Sequence, residues 1–166
     1  GNPDVKTPNL DALASESLVF DNMYCTNPIC VPSRMSLFTG RHTHEINVWD
    51  NDSPLSGHYP TYASYLQAEG YDTTACGRTH FVGTGRNYGF DKRLLDDLIH
   101  WKHLDMEPVR REPEVIRRKR IIDDAGEGTN VQIDYDDTVT DLSMRFLNGK
   151  ATRPVDAPWL LYSGFI

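Results

Sequence analysis

TYASYLQAEGYDTTACG, residues 61–77, changes character halfway along its length. Tyr62 to Glu69 has apolar residues at helical spacing, and Gly70 can supply the left-handed residue that stops a helix. YDTTAC then reads as an extended stretch ending near Gly77. This helix-to-strand unit, with helical and extended signals alternating on both sides of it, predicts an α/β fold. Upstream, Thr7 is a plausible N-cap, Pro8 suits a first helical position, and Leu10, Leu13 and Ala14 are spaced to face a core. Leu18 to Tyr24 reads as a half-buried strand, followed by a turn at TNPI. Pro32 then falls in the first turn of a helix carrying Met35, Leu37 and Phe38 and stopped by Gly40, which puts Cys30 at that helix's N-terminus. Downstream, residues 82–128 are rich in glycine and charge and read as irregular. Tyr135 to Leu147 is spaced as a helix, and WLLYSGFI after Pro158 as a buried strand. There is no internal repeat, and a chain ending on an apolar strand is expected to be part of a larger domain, with sequence on both sides.

Composition limits the function classes. The chain has 166 residues, 39% of them hydrophobic and 25% charged, enough for one core. No apolar run approaches the roughly 18 residues of a membrane span, and GNPDVKTPNL has no signal-peptide core, so a soluble protein is expected, with its compartment left open between cytoplasm and periplasm or exterior. A net charge of −7 argues against nonspecific nucleic-acid binding. The basic run Arg117 to Arg120 is followed at once by Asp123 and Asp124 and reads as solvated surface. Three cysteines, Cys25, Cys30 and Cys76, are an odd count, so at least one thiol is free or chemically altered. Their spacing does not suit a zinc ribbon.

The chemistry concentrates in CVPSRMSLFTGR, residues 30–41. A spacing of four places Arg34 one turn beyond Cys30 on the same helix face, and the helix N-terminus offers N–H groups and partial positive charge. An anion would be held there. From helix geometry alone, a buried cysteine beside a surface arginine is the more ordinary reading.

Cys-X-Pro-Ser-Arg followed by Thr-Gly-Arg resembles the signature of type I sulfatases, of the alkaline phosphatase superfamily, and choline-sulfatase-like and arylsulfatase-like members in particular. The match covers Cys30, Pro32, Ser33, Arg34, Thr39, Gly40 and Arg41. TPNLDALASESLVFDNMY is similar to the segment that precedes this signature, and LQAEGYDTTACGRTHFVG resembles the family's second motif, Gly-Tyr-X-Thr followed by Gly-Lys-X-His. PWLLYSGFI resembles, more loosely, a later strand. The resemblance implies an alkaline-phosphatase-like sandwich with a central mixed, mostly parallel sheet flanked by helices. Residues 1–166 would be a fragment of the N-terminal catalytic domain, lacking its first strand and its C-terminal part.

What the resemblance implies for the site is specific. Cys30 would be oxidised by a formylglycine-generating enzyme. The hydrated aldehyde offers one hydroxyl, activated by a divalent cation, to attack sulfur and a second to expel sulfate. Arg34 would steady the hydrate and the charge on its metal side. Arg78 stands where lysine is commoner and would bind sulfate oxygens as a fork. His80 would donate to the sulfate or the hydrate, and Asn51 would line the anion pocket. The cation would be calcium, or magnesium or manganese, held by carboxylate and amide oxygens. Of its expected ligands only Cys30, as formylglycine, is in this sequence, so the chain by itself is expected to be inactive. His42, His44, His58, His100 and His103 read as structural. A small sulfated substrate is the expected partner, without nucleic acid or membrane, and with oligomerisation left open. Phosphonate monoester or phosphodiester hydrolysis on the same scaffold is the alternative activity, disfavoured by Arg78 and His80. A non-catalytic scaffold with an unmodified Cys30 is the third reading.

Overall fold

The computed structural model describes residues 4–83, 87–98, 126–152 and 157–166. In chain order its regular elements are α1 (Pro8–Ser15), α2 (Cys30–Thr39), α3 (Thr43–Ile46), α4 (Tyr62–Ala68), β1 (Asp72–Gly77), β2 (Lys92–Leu95), α5 (Val131–Thr152) and β3 (Trp159–Gly164). The helix-to-strand unit forms as the sequence predicts. Thr61 caps α4 by accepting a hydrogen bond from Ser64 N at 3.2 Å, and Gly70 turns the chain into β1 with φ +85°.

β1 is the middle strand of a sheet ordered β2-β1-β3, and both pairings are parallel. Parallel strands need covered faces and long connections, and this sheet has both. Successive side chains of β1 point to opposite faces. Ala75 packs with Val31, Met35 and Phe38 of α2 and Ala63 of α4, whereas Cys76 packs with Tyr135 and Val139 of α5. β3 repeats the alternation, Leu160 and Tyr162 joining the first cluster and Leu161 the second. The first cluster centres on Phe38, whose ring lies 4.9 Å from Phe81, 5.2 Å from Tyr162 and 5.4 Å from Tyr62. The molecule is thus an α/β/α sandwich with a parallel sheet.

Several expectations are corrected. Leu18 to Tyr24 is not a strand: Leu18 is 87% exposed and Tyr24 83%, and no described strand pairs with the segment. Extended backbone becomes a strand only when a neighbour takes up its N–H and C=O groups. α1 buries no residue, and Leu10 and Leu13 face outward rather than into a core. Lys92–Leu95 is a strand within a stretch that reads as irregular, because pairing with β1 outweighs the weak local pattern. α5 exceeds Tyr135–Leu147 at both ends. Its start is marked by Asn130, whose Oδ1 accepts from Gln132 N at 2.9 Å and Ile133 N at 3.0 Å. β3 is only partly buried, since it pairs with a described strand on one side alone. The Arg117 to Arg120 run, His100 and His103 lie outside the described residues. Among the described residues, no helix is long and apolar enough to cross a membrane.

Candidate active site

Ile29 is extended and Cys30 is the first residue of α2, as the sequence predicts, with its side chain exposed. The helix start is more occupied than an isolated helix would be. Val31 N donates to Asn51 Oδ1 at 3.0 Å, and Pro32 has no N–H to offer. Asn51 Oδ1 thus holds the backbone of α2 next to Cys30, which leaves fewer free donors for an anion than expected. Of the other thiols, Cys25 is exposed, while Cys76 is buried and its Sγ faces Val139 O at 3.7 Å. Burial pushes the Cys76 thiol pKa up and makes it unreactive.

The second half of the site is the turn after β1. Gly77 has φ +87°, and at Gly164 β3 comes so close that Arg78 N donates to Gly164 O at 2.8 Å. Arg34 reaches this turn from α2, its Nη1 donating to Arg78 O at 3.0 Å and to Tyr162 Oη at 2.8 Å. Tyr162 Oη in turn donates to Arg78 O at 3.2 Å. Arg34 thus ties the signature helix to the Gly-Arg-Thr-His turn, and at least one of its donors is used in holding the backbone.

His80 has φ +58°, in the left-handed region. Arg78 Nη2 lies 3.4 Å from its Nδ1. A guanidinium can only donate, so this contact assigns Nδ1 as acceptor and places the ring proton on Nε2. Burial lowers the His80 pKa, Arg78 and Arg34 lower it further, and Asp97 opposes them. His80 is therefore a neutral donor near pH 7, and Arg78 alone is the fixed cation of the pair. Arg78, His80, Asp97, Leu98, Gln132 and Ile166 line a cavity of about 140 Å³. A larger hollow of about 660 Å³ lies over Tyr24, Cys25, Leu37 and Arg41, away from Arg78 and His80. His42 and His44 stack at 5.6 Å, and His42 N donates to Glu45 Oε2 at 2.8 Å.

Two site residues escaped the sequence reading, Tyr162 and Asp97. Neither belongs to a local pattern, since each meets the turn only through the fold. Among the described residues no group of three or more His, Cys, Asp or Glu side chains is gathered as a metal site would require. Calcium takes about six to eight oxygen ligands, so the described residues alone do not fit the expected cation.

The sulfatase family model matches residues 1–166, the whole sequence. The chain belongs to the sulfatase family. This sulfatase chain is 34% identical over 167 residues to the choline-sulfatase of Rhizobium meliloti (strain 1021), covering 95% of this chain and 32% of that protein. In structure it resembles the phosphonate monoester hydrolase of Agrobacterium radiobacter, with TM-score 0.66 and 26% identity over 100% of this chain and 37% of that one. It shares the fold of BT4656, solved in complex with its substrate D-glucosamine-2-N,6-O-disulfate, with TM-score 0.65 and 24% identity over 96% of this chain and 29% of that one. The sulfatase chain thus spans about a third of the length of these relatives. The chain shares the fold of these structural neighbours.

Proposed function

We propose that residues 1–166 belong to the catalytic domain of a full-length protein that hydrolyses a sulfate ester where the N-terminus of α2 meets the turn after β1. The observation supporting this reading is the Arg34 Nη1 to Arg78 O hydrogen bond of 3.0 Å, which joins two motifs 44 residues apart in sequence. Cys30, exposed on the first turn of α2, would be converted to formylglycine by a formylglycine-generating enzyme. Once formed, that group supplies a hydrated aldehyde with two hydroxyls on one carbon, one to attack sulfur and one to release sulfate. The chain's own residues supply the rest. Arg78 presents a fixed cation to the sulfate oxygens, and His80 offers its Nε2–H as a neutral donor. Asn51 holds Val31 N and so fixes the start of α2 and the direction of the Cys30 side chain. A divalent cation, calcium, magnesium or manganese, belongs to the proposal with oxygen ligands beyond the described residues. The choline-sulfatase relative makes a small sulfated alcohol the first substrate to assay.

The modification is tested in protein produced together with a formylglycine-generating enzyme. The Cys30 peptide is expected to lose roughly 18 Da relative to the thiol form, a route separate from the sulfenic ladder. A Cys30 that alkylates completely under those conditions would overturn the nucleophile assignment and favour the non-catalytic reading.

Arg78 is tested by kinetics. Arg78→Ala in the full-length protein is expected to lower sulfate-ester turnover on the order of 10²-fold or more, because it removes a charged donor from the developing negative charge. Its effect on stability should be about 1 kcal/mol or less, as for other half-exposed charges. Turnover within a few-fold of the parent would refute the role.

The structural likeness to a phosphonate monoester hydrolase supports a second reading, hydrolysis of a phosphonate monoester at the same pocket. Comparing kcat/KM for an aryl sulfate and an aryl phosphonate monoester decides between them.

A further inference from the structure

Behind Arg78 and His80 stands a buried carboxylate that no motif contains. Asp97 is 7% exposed, and its two oxygens take separate partners from the turn. Its Oδ1 accepts from His80 N at 2.9 Å, and its Oδ2 accepts from Thr79 Oγ1 at 3.1 Å. The direction of the second bond is fixed, because Arg93 Nη2 also binds Thr79 Oγ1 and a guanidinium can only donate. The Thr79 hydroxyl therefore accepts from Arg93 and must give its own proton to Asp97. The next residue along, His80, has φ +58°, a conformation that a non-glycine residue keeps only when its surroundings hold it there. The Asp97 carboxylate supplies that hold and lines the same cavity as Arg78 and His80.

We propose that Asp97 is a positioning residue, whose carboxylate clamps the amide of His80 and the hydroxyl of Thr79 and thereby aims the His80 imidazole and the Arg78 guanidinium at the sulfate. This inference rests on the proposed roles of Arg78 and His80. Its physical basis is that charged hydrogen bonds are strong, and that a displacement of about 1 Å at a reacting centre can lower a rate on the order of 10²-fold. An asparagine in place of Asp97 weakens the clamp. Its oxygen can still accept from His80 N, but its NH2 group can hold Thr79 only by donating to the hydroxyl that Arg93 already occupies, and neither bond keeps the carboxylate charge.

The charged groups acting on His80 are Arg78 and Arg34, which disfavour its protonation, and Asp97, which favours it. Removing the Asp97 charge should therefore lower the His80 pKa further. In the full-length protein, Asp97→Asn is expected to lower kcat with an aryl sulfate on the order of 10²-fold, with a smaller change in KM. The His80 ring pKa, followed by NMR, should fall, and the acid limb of the pH profile should move to lower pH with it. Thr79→Val should lose turnover in the same direction, and Thr79→Ser, which keeps the hydroxyl, should recover most of that loss. A reduction in turnover by His80→Ala and Arg78→Ala together with unaltered kcat and His80 pKa in Asp97→Asn would overturn the clamp while leaving the site intact. Unaltered turnover in His80→Ala and Arg78→Ala would instead sink the site reading. If Asp97→Asn does not fold, the Thr79 pair decides: equal rates for Val and Ser overturn the proposal, and recovery by Ser alone upholds it.

Discussion

Gly77→Val is expected to prevent the folding of the sheet in the full-length protein. A Cβ built at Gly77 would overlap the carbonyl oxygen of Gly164 and lie 2.7 Å from Val139 Cγ2, and the residue's φ of +87° strains any branched side chain. Neither neighbour can withdraw. The Gly164 carbonyl belongs to β3 and accepts the Arg78 N–H at 2.8 Å, while Val139 is completely buried under β1. Steric overlap with backbone and left-handed strain act together, so the loss should exceed about 4 kcal/mol, a large part of the stability of an ordinary domain. Gly164→Val should behave alike, since its Cβ would lie 2.8 Å from the carbonyl carbon of Arg78 and 2.9 Å from its nitrogen. Gly149 is the control. It lies inside α5 with nothing within 4 Å of a new Cβ, so Gly149→Ala should stabilise by up to about 1 kcal/mol. Thermal melts followed by circular dichroism check all three, and a Gly77→Val protein melting with its parent would show that β1 and β3 do not close as described.

These glycines also indicate how much of the molecule the sequence could disclose. α2 and α4 were legible because their signals are local: Pro32 and Gly40 for one, the apolar spacing and Gly70 for the other. β1 was legible for the same reason, lying directly after such a stop. β2 was not, because KRLL gains its strand character from pairing with Thr74, Ala75 and Cys76, a property of the partner. Leu18–Tyr24 fails in the opposite sense, having the right residues for a strand and no described strand to pair with. The site divides along the same line. Cys30, Arg34, Arg78 and His80 sit in contiguous motifs, so a resemblance could find them. Asp97 and Tyr162 matter only through what they touch, 17 and 84 residues away in sequence from His80 and Arg78, and no local pattern encodes such a meeting. The lowered pKa of His80 divides in the same way: Arg78 stands two residues away in the chain, but the burial that lowers it most is a product of the fold.

Cys30→Ala is expected to reduce sulfate-ester turnover on the order of 10⁶-fold, the loss usual when a covalent nucleophile is removed and only binding and electrostatics remain. Stability should change by no more than about 0.5 kcal/mol, because the Cys30 side chain is exposed and leaves no cavity. Cys30→Ser separates the two chemical roles given to this position. A serine hydroxyl can attack sulfur and release the alcohol, but it carries no second hydroxyl on the same carbon to expel the sulfate. The variant should therefore give a burst of alcohol approaching one equivalent per site and then stall, where Cys30→Ala gives none. The other two thiols serve as internal controls. Cys25 is exposed and away from Arg78 and His80, so Cys25→Ala should keep turnover close to the parent's. Cys76 packs with Tyr135 and Val139 beneath the sheet, so Cys76→Ala should lower the melting temperature, by about 1–3 kcal/mol in stability, before it alters kcat. Single-turnover and steady-state assays on the four variants, each beside a thermal melt, distinguish these outcomes. Equal activity in Cys30→Ala and Cys25→Ala would remove Cys30 from the chemistry.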